Sequence, residues 1–103
     1  MAMFVVNGTV PIDPNHRDEA QELFAEIAEK SREESGIIDY RVAMDVDEPS
    51  RFRFIEQYED DDAFEEHMET EHIQELMNKL PELVAGDIDA TRFNVESSAA
   101  LDF

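Results

Sequence analysis

Two hydrophobic periods alternate along this chain, and their order leaves few folds open. Met3 to Pro11 is β-branched and aromatic, and Pro11 with Asp13-Pro14-Asn15 closes it, which predicts a first strand. From about His16 to Glu34, Ala20, Leu23, Phe24, Ile27 and Ala28 recur at three- and four-residue steps. They form one apolar helix face, and Gly36 stands where a C′ glycine belongs. Ile37 to Asp45 alternates, with Ile38, Tyr40, Val42 and Met44 on one side. Asp47-Glu48-Pro49-Ser50 turns the chain into Arg51 to Glu59, where Phe52, Phe54 and Tyr58 share a side, so the two segments predict a hairpin. Asp60-Asp61-Asp62 supplies cap and first-turn carboxylates for a helix containing Ala63, Phe64, His67 and Met68. Thr70 can restart that helix, with Ile73, Leu76, Met77 and Leu80 as its next stripe before Pro81 stops it. A last strand runs from about Ile88 to Glu96. The order is β-α-β-β-α-β, the α+β ferredoxin-like arrangement with an antiparallel sheet and both helices on one face. It makes one domain over residues 1–96, with 97–103 as a tail.

A sheet covered on one face only should be polar on the other. Here strand one begins Met3-Phe4-Val5-Val6 and strand three holds Phe52, Phe54 and Ile55, so both faces carry apolar residues. Either the strand ends merely look apolar on both sides, or a second subunit covers the open face in a two-fold homodimer.

Charge narrows the partners. Eight Lys and Arg stand against 27 Asp and Glu, a net charge of −19. Nucleic acid and anionic membrane surfaces both recruit clustered Lys and Arg, so neither is an expected partner. Hydrophobic residues nevertheless make up 42% of the chain, too many for a disordered acidic tail. Lys occurs only at 30 and 79, and this excess of carboxylate suggests a halophilic host whose salt screens the self-repulsion. With no Cys, no thiolate nucleophile or Cys-ligated metal is available. The segment from Met1 to Val10 lacks a basic n-region and a full apolar h-region, and no apolar run approaches spanning length, so a cytoplasmic location is expected.

Motifs for bound cofactors are missing. Gly8, Gly36 and Gly86 are isolated, which leaves no dinucleotide fingerprint, P-loop or nucleophile elbow. His67 and His72 are five positions apart, about 140° around a continuous helix, so the spacing does not make them a metal pair. Neither a metal nor a cofactor is expected.

The stretch Phe54-Ile55-Glu56-Gln57-Tyr58-Glu59-Asp60, then Ala63-Phe64-Glu65-Glu66-His67-Met68, then Glu71-His72-Ile73 resembles the central block of the antibiotic biosynthesis monooxygenase family. The flanks Lys30 to Gly36, Leu80-Pro81-Glu82-Leu83 and Asp89 to Val95 resemble that family too, so the similarity covers roughly residues 3 to 96. The resemblance implies a ferredoxin-like fold dimerising into an α+β barrel, with a pocket between sheet and helices in each subunit. It also implies oxygenation of small phenol- or quinol-type aromatics by dioxygen without metal or flavin. An electron-rich ring, once deprotonated, can itself pass an electron to oxygen. The protein then has only to bind it dry, accept a proton and stabilise the anion.

Carried onto this chain, the resemblance makes His67 the proton acceptor, unless it is a boundary histidine bonded to backbone or carboxylate. It gives Asn7 and Arg92 as anion stabilisers, with a water-facing edge position and a cross-strand ion pair as their alternatives. Tyr58, where the family often has Trp, would position the ring. Tyr40, Phe24 and Phe64 are core residues that can double as pocket walls, and His72 opens the next helix beside the substrate region. Haem-degrading relatives combine a first-strand asparagine with a tryptophan and a histidine. Asn7 fits that pattern, but His67 and Met77 occupy the other two places, which disfavours haem breakdown. A non-catalytic ligand-binding dimer and an isomerase or lyase on the same scaffold remain as other readings.

Overall fold

The computed structural model describes residues 3–103; residues 1 and 2, counted with the domain above, lie outside the described residues. Strand β1 (Phe4–Pro11) leads through a 3₁₀ turn (Pro14–His16) into helix α1 (Arg17–Arg32). The hairpin β2 (Ile37–Met44) and β3 (Arg51–Tyr58) follows, then α2 (Asp61–Glu69), α3 (Glu71–Leu83) and β4 (Asp89–Asn94). The sheet order is β2-β3-β1-β4 with every neighbouring pair antiparallel. This is the expected ferredoxin-like α+β fold, with its second helical region divided in two. Among the described residues no helix is long and apolar enough to cross a membrane.

The sequence places the core well. Phe4, Phe52, Phe54 and Tyr58 project from one side of the sheet and are buried under the helices. Phe4 stacks on Tyr58 at 5.1 Å, and Phe24 of α1 meets Phe52 and Phe54 edge-on, each at 5.0 Å. Rings in these geometries gain about 0.5–1.5 kcal/mol per pair beyond the area they bury.

Several local expectations need correction. The alternation in β2 breaks at a bulge between Ile37 and Asp39. The extra residue reverses the facing, so Ile37 is buried and Ile38, expected beside Tyr40, is exposed. Gly36 is not a left-handed cap, for no described glycine has positive φ. It is needed for space, since a Cβ there would come 2.4 Å from the Cβ of Ala63. Pro81 does not stop α3 but sits inside it. The proline forfeits one N–H bond, yet the next turn closes through the Val84 N–H to the Leu80 carbonyl at 3.0 Å, with Leu83 buried as its anchor.

Among the described residues, none forms a layer over the outer face of the sheet. Val5, Ile55 and Phe93 lie on it among Asn7, Thr9, Arg53, Gln57 and Thr91, with Ile55 and Phe93 each about half exposed.

Candidate active site

Between the inner face of the sheet and the helices α2 and α3 lies a cavity of about 350 Å³. Val6, Gly8 and Val10 of β1 form its floor, Leu76, Met77 and Leu80 of α3 its roof, and Phe64 and Met68 of α2 one wall. Gly8 keeps the floor open, because any larger residue would point a side chain into the space. Three polar side chains belong to this apolar lining: Tyr40, Glu56 and His67. A larger concavity of about 410 Å³ lies between α1 and β2, where Phe24 is found, but its charged lining groups, Glu29, Arg32 and Arg41, include no histidine.

His67 is only 2% exposed and sits in the last turn of α2. Its Nδ1 lies 3.0 Å from Oε2 of Glu34, in the turn after α1. An ionised carboxylate only accepts, so the imidazole donates its Nδ1–H there, which leaves Nε2 as the basic nitrogen. Burial pushes the His67 pKa below the usual histidine range, and hydrogen bonding and charge from Glu34 partly offset this. The ring is therefore neutral at neutral pH and able to take up a proton. Tyr40 and Tyr58 flank it at 5.3 and 5.6 Å between ring centroids.

The second polar group is Glu56. Burial raises its pKa, and a hydrogen bond donated by the Tyr58 hydroxyl pulls it back. Burial first, then the charge of Glu56, pushes the pKa of both tyrosines far above the phenol range, so they remain neutral donors.

Chain geometry also brings His72 to this corner. Asp60 caps α2 through the Ala63 N–H, and Thr70 closes α2 with an extended backbone while accepting from the Ile73 N–H of α3. The five-residue spacing of the histidines consequently does not lie on one continuous helix, as the rotation argument required. The break swings His72 back, and its Nε2 lies 2.7 Å from the same Glu34 oxygen. Besides Phe24, at the α1–β2 concavity, and Tyr58, which flanks His67 without lining the cavity, two more expected residues stand elsewhere. Asn7 is exposed on the outer sheet face, opposite Ile55 and Thr91. Arg92, on β4, holds its guanidinium 3.7 Å over the Phe4 ring and pairs with Asp61 at 2.7 Å, outside the cavity lining.

Sequence reasoning missed Glu34 and Glu56. Glu56 had a signal, since period two puts it on the same strand face as Phe52, Phe54 and Tyr58. Glu34 had none, because nothing local distinguishes it among 27 acidic residues.

A family profile described as "Antibiotic biosynthesis monooxygenase" matches residues 3–79. The chain is 29% identical over 90 residues to "Putative monooxygenase YcnE" of Bacillus subtilis, covering 87% of this chain and 95% of that one. It is 28% identical over 97 residues to "Uncharacterized protein sll1783" of Synechocystis, covering 94% of this chain and 66% of that one, just under two thirds of its length. Among solved structures, PA3566 from Pseudomonas aeruginosa superposes with a TM-score of 0.87 at 23% identity, covering 94% of this chain and 97% of that one.

Proposed function

The chain belongs to the antibiotic biosynthesis monooxygenase family, and on that premise we propose that it oxygenates a small phenol- or quinol-type aromatic with dioxygen in the cavity under α2 and α3. The observation that carries this reading is that His67, hydrogen-bonded to Glu34, lines a cavity whose walls are mostly apolar. A substrate hydroxyl gives its proton to Nε2 of His67, and Glu34 stabilises the imidazolium that results. The ring anion passes an electron to dioxygen, and the two radicals recombine to a ring peroxide whose outer oxygen takes the proton back from His67. Loss of the ring C–H proton then breaks the O–O bond, leaving a carbonyl on the ring and releasing the second oxygen as water. Glu56 and the neutral Tyr40 hydroxyl are placed to hydrogen-bond oxygen atoms of substrate or product, while the apolar walls keep water from the intermediates. Asn7 and Arg92 have no part in this reading, and Tyr58 acts through Glu56.

Oxygen uptake with a panel of hydroquinones and naphthols, in buffer with molar KCl, tests it. A positioned base contributes about 10²–10⁴-fold, so His67→Ala should lose a factor in that range. Unchanged turnover would remove His67 from the chemistry. The strongly apolar lining also favours a second reading, a binder of small apolar ligands without turnover. In that case ligands raise the melting temperature but are never consumed. An isomerase or lyase would work under nitrogen, where the oxygenase stops.

The open sheet face, with Val5, Ile55 and Phe93, supports pairing with a second copy into a homodimer, and a cytoplasmic setting rich in salt suits the charge. Light scattering after gel filtration checks the pairing. Ile55→Asp should give monomers, because it buries an unpaired charge in the joint.

A further inference from the structure

We propose that Glu34, His67 and His72 form a site for one divalent transition-metal ion of the zinc class. The three donor atoms, one carboxylate oxygen, Nδ1 of His67 and Nε2 of His72, lie within 4.8 Å of one another. Ligands held about 2.0–2.2 Å from a single ion in a tetrahedron stand about 3.3–3.6 Å apart, so loading needs the donors to draw in by roughly an ångström. Their side chains are 17%, 3% and 13% exposed, so this is not a chance meeting of solvated surface groups. Each comes from a different element, and the kink at Thr70 creates the convergence, so the donor set exists only in the folded chain. Both imidazoles already aim at one Glu34 oxygen, 3.0 and 2.7 Å away, so an ion set between the three donors replaces two N–H···O contacts with two N–metal bonds. Two imidazoles and a carboxylate select Zn²⁺, Co²⁺ or Ni²⁺ over Mg²⁺ and Ca²⁺, which prefer all-oxygen sites. The partial exposure of His72 and Glu34 leaves an approach for the ion from solvent, which can supply water as a fourth ligand.

A loaded ring carries its hydrogen on the nitrogen that does not bind the ion. For His67 this puts the hydrogen on Nε2, which can then no longer accept one. A consequence that rests on the reading above is that metal occupancy and proton acceptance exclude each other, so the loaded protein is inhibited.

The test is titration of the full-length protein with Co²⁺, followed by its visible absorption, with Mg²⁺ in large excess to occupy surface carboxylates. One equivalent should bind and resist Mg²⁺. His72→Gln keeps a hydrogen-bond donor for Glu34 but loses the ligand nitrogen. Supporting groups outside a metal's ligand shell are worth about 10–100-fold in affinity, so removing a ligand should weaken Co²⁺ at least tenfold. Zn²⁺ should raise the melting temperature of the wild-type protein and leave that of the variant unmoved. Equal Co²⁺ affinity in the two proteins, or displacement of the ion by Mg²⁺, would overturn the site. Oxygen uptake with and without Zn²⁺ is a separate arm, so failure of the proposed activity leaves the binding result intact.

Discussion

At the scale of single residues, two buried groups give the protein opposite responses to pH. His67 has a lowered pKa in the fold, so between about pH 6.5 and its folded value the unfolded chain binds the extra proton and stability falls as pH falls. Glu56 has a raised pKa, so above about pH 4.5 the unfolded chain ionises first and stability falls as pH rises towards the folded value. Glu56→Gln keeps an acceptor for the Tyr58 hydroxyl and removes the ionisation. Its melting temperature relative to wild type should be more favourable at pH 7 than at pH 4, and an equal offset at both would mean that burial does not raise the Glu56 pKa. The same physics places the acidic limb of the kcat/KM profile below the ordinary histidine range. Glu34→Gln should lower kcat/KM by at least about tenfold and move that limb further down, because the carboxylate both orients the ring and favours its protonation. A limb that stays put while activity falls would show Glu34 to be merely structural.

At the scale of elements, the joints decide what the site can be. Gly36 lets the start of the hairpin press against α2 at Ala63, and this contact helps seat α2 against the chain that carries Glu34. Gly36→Ala should cost about 1–3 kcal/mol as an overpacked contact, a fall of several degrees or more in melting temperature. Gly8→Ala meets only ordinary contacts, 3.5 Å to the Asp89 carbonyl oxygen and 3.7 Å to the Phe54 Cβ. It should leave the melting temperature nearly unchanged while narrowing the cavity, which ligand affinity would register. Strands and helices were legible because each buries one stripe at its own period, as Phe52, Phe54 and Tyr58 or Ile73, Leu76 and Leu80 illustrate. The joints were not. A bulge at Ile37, a close approach at Gly36 and a kink at Thr70 depend on what lies across the fold, and local pattern carries no record of that. The Glu34 corner was hidden for the same reason: its three members come together only through two of these joints.

At the scale of the whole molecule, a charge of −19 over 6909 Å² of surface must weaken the compact state when little salt is present. Few ion pairs offset it, and most, such as Lys30–Glu26 and Lys79–Glu75, are half-exposed and worth about 0–1 kcal/mol each. The outer sheet face is different, because Arg41 pairs there with Asp39 and Arg53 with Asp45, which makes it a place where two such anions can approach. Pairing and folding should therefore both strengthen with salt. Between about 10 mM and 1 M salt the screening length falls from about 30 to about 3 Å, so the melting temperature should climb steeply at first and then level off as neighbouring carboxylates cease to sense one another. Salting-out of apolar surface has another signature, a rise that continues past molar concentration and is greater for sulfate than for chloride at equal ionic strength. Melts in KCl and K₂SO₄ separate the two effects. Coincident curves that flatten near 1 M would assign the stabilisation to screening, whereas a melting temperature indifferent to either salt would mean that the acidic surface imposes no penalty on this fold.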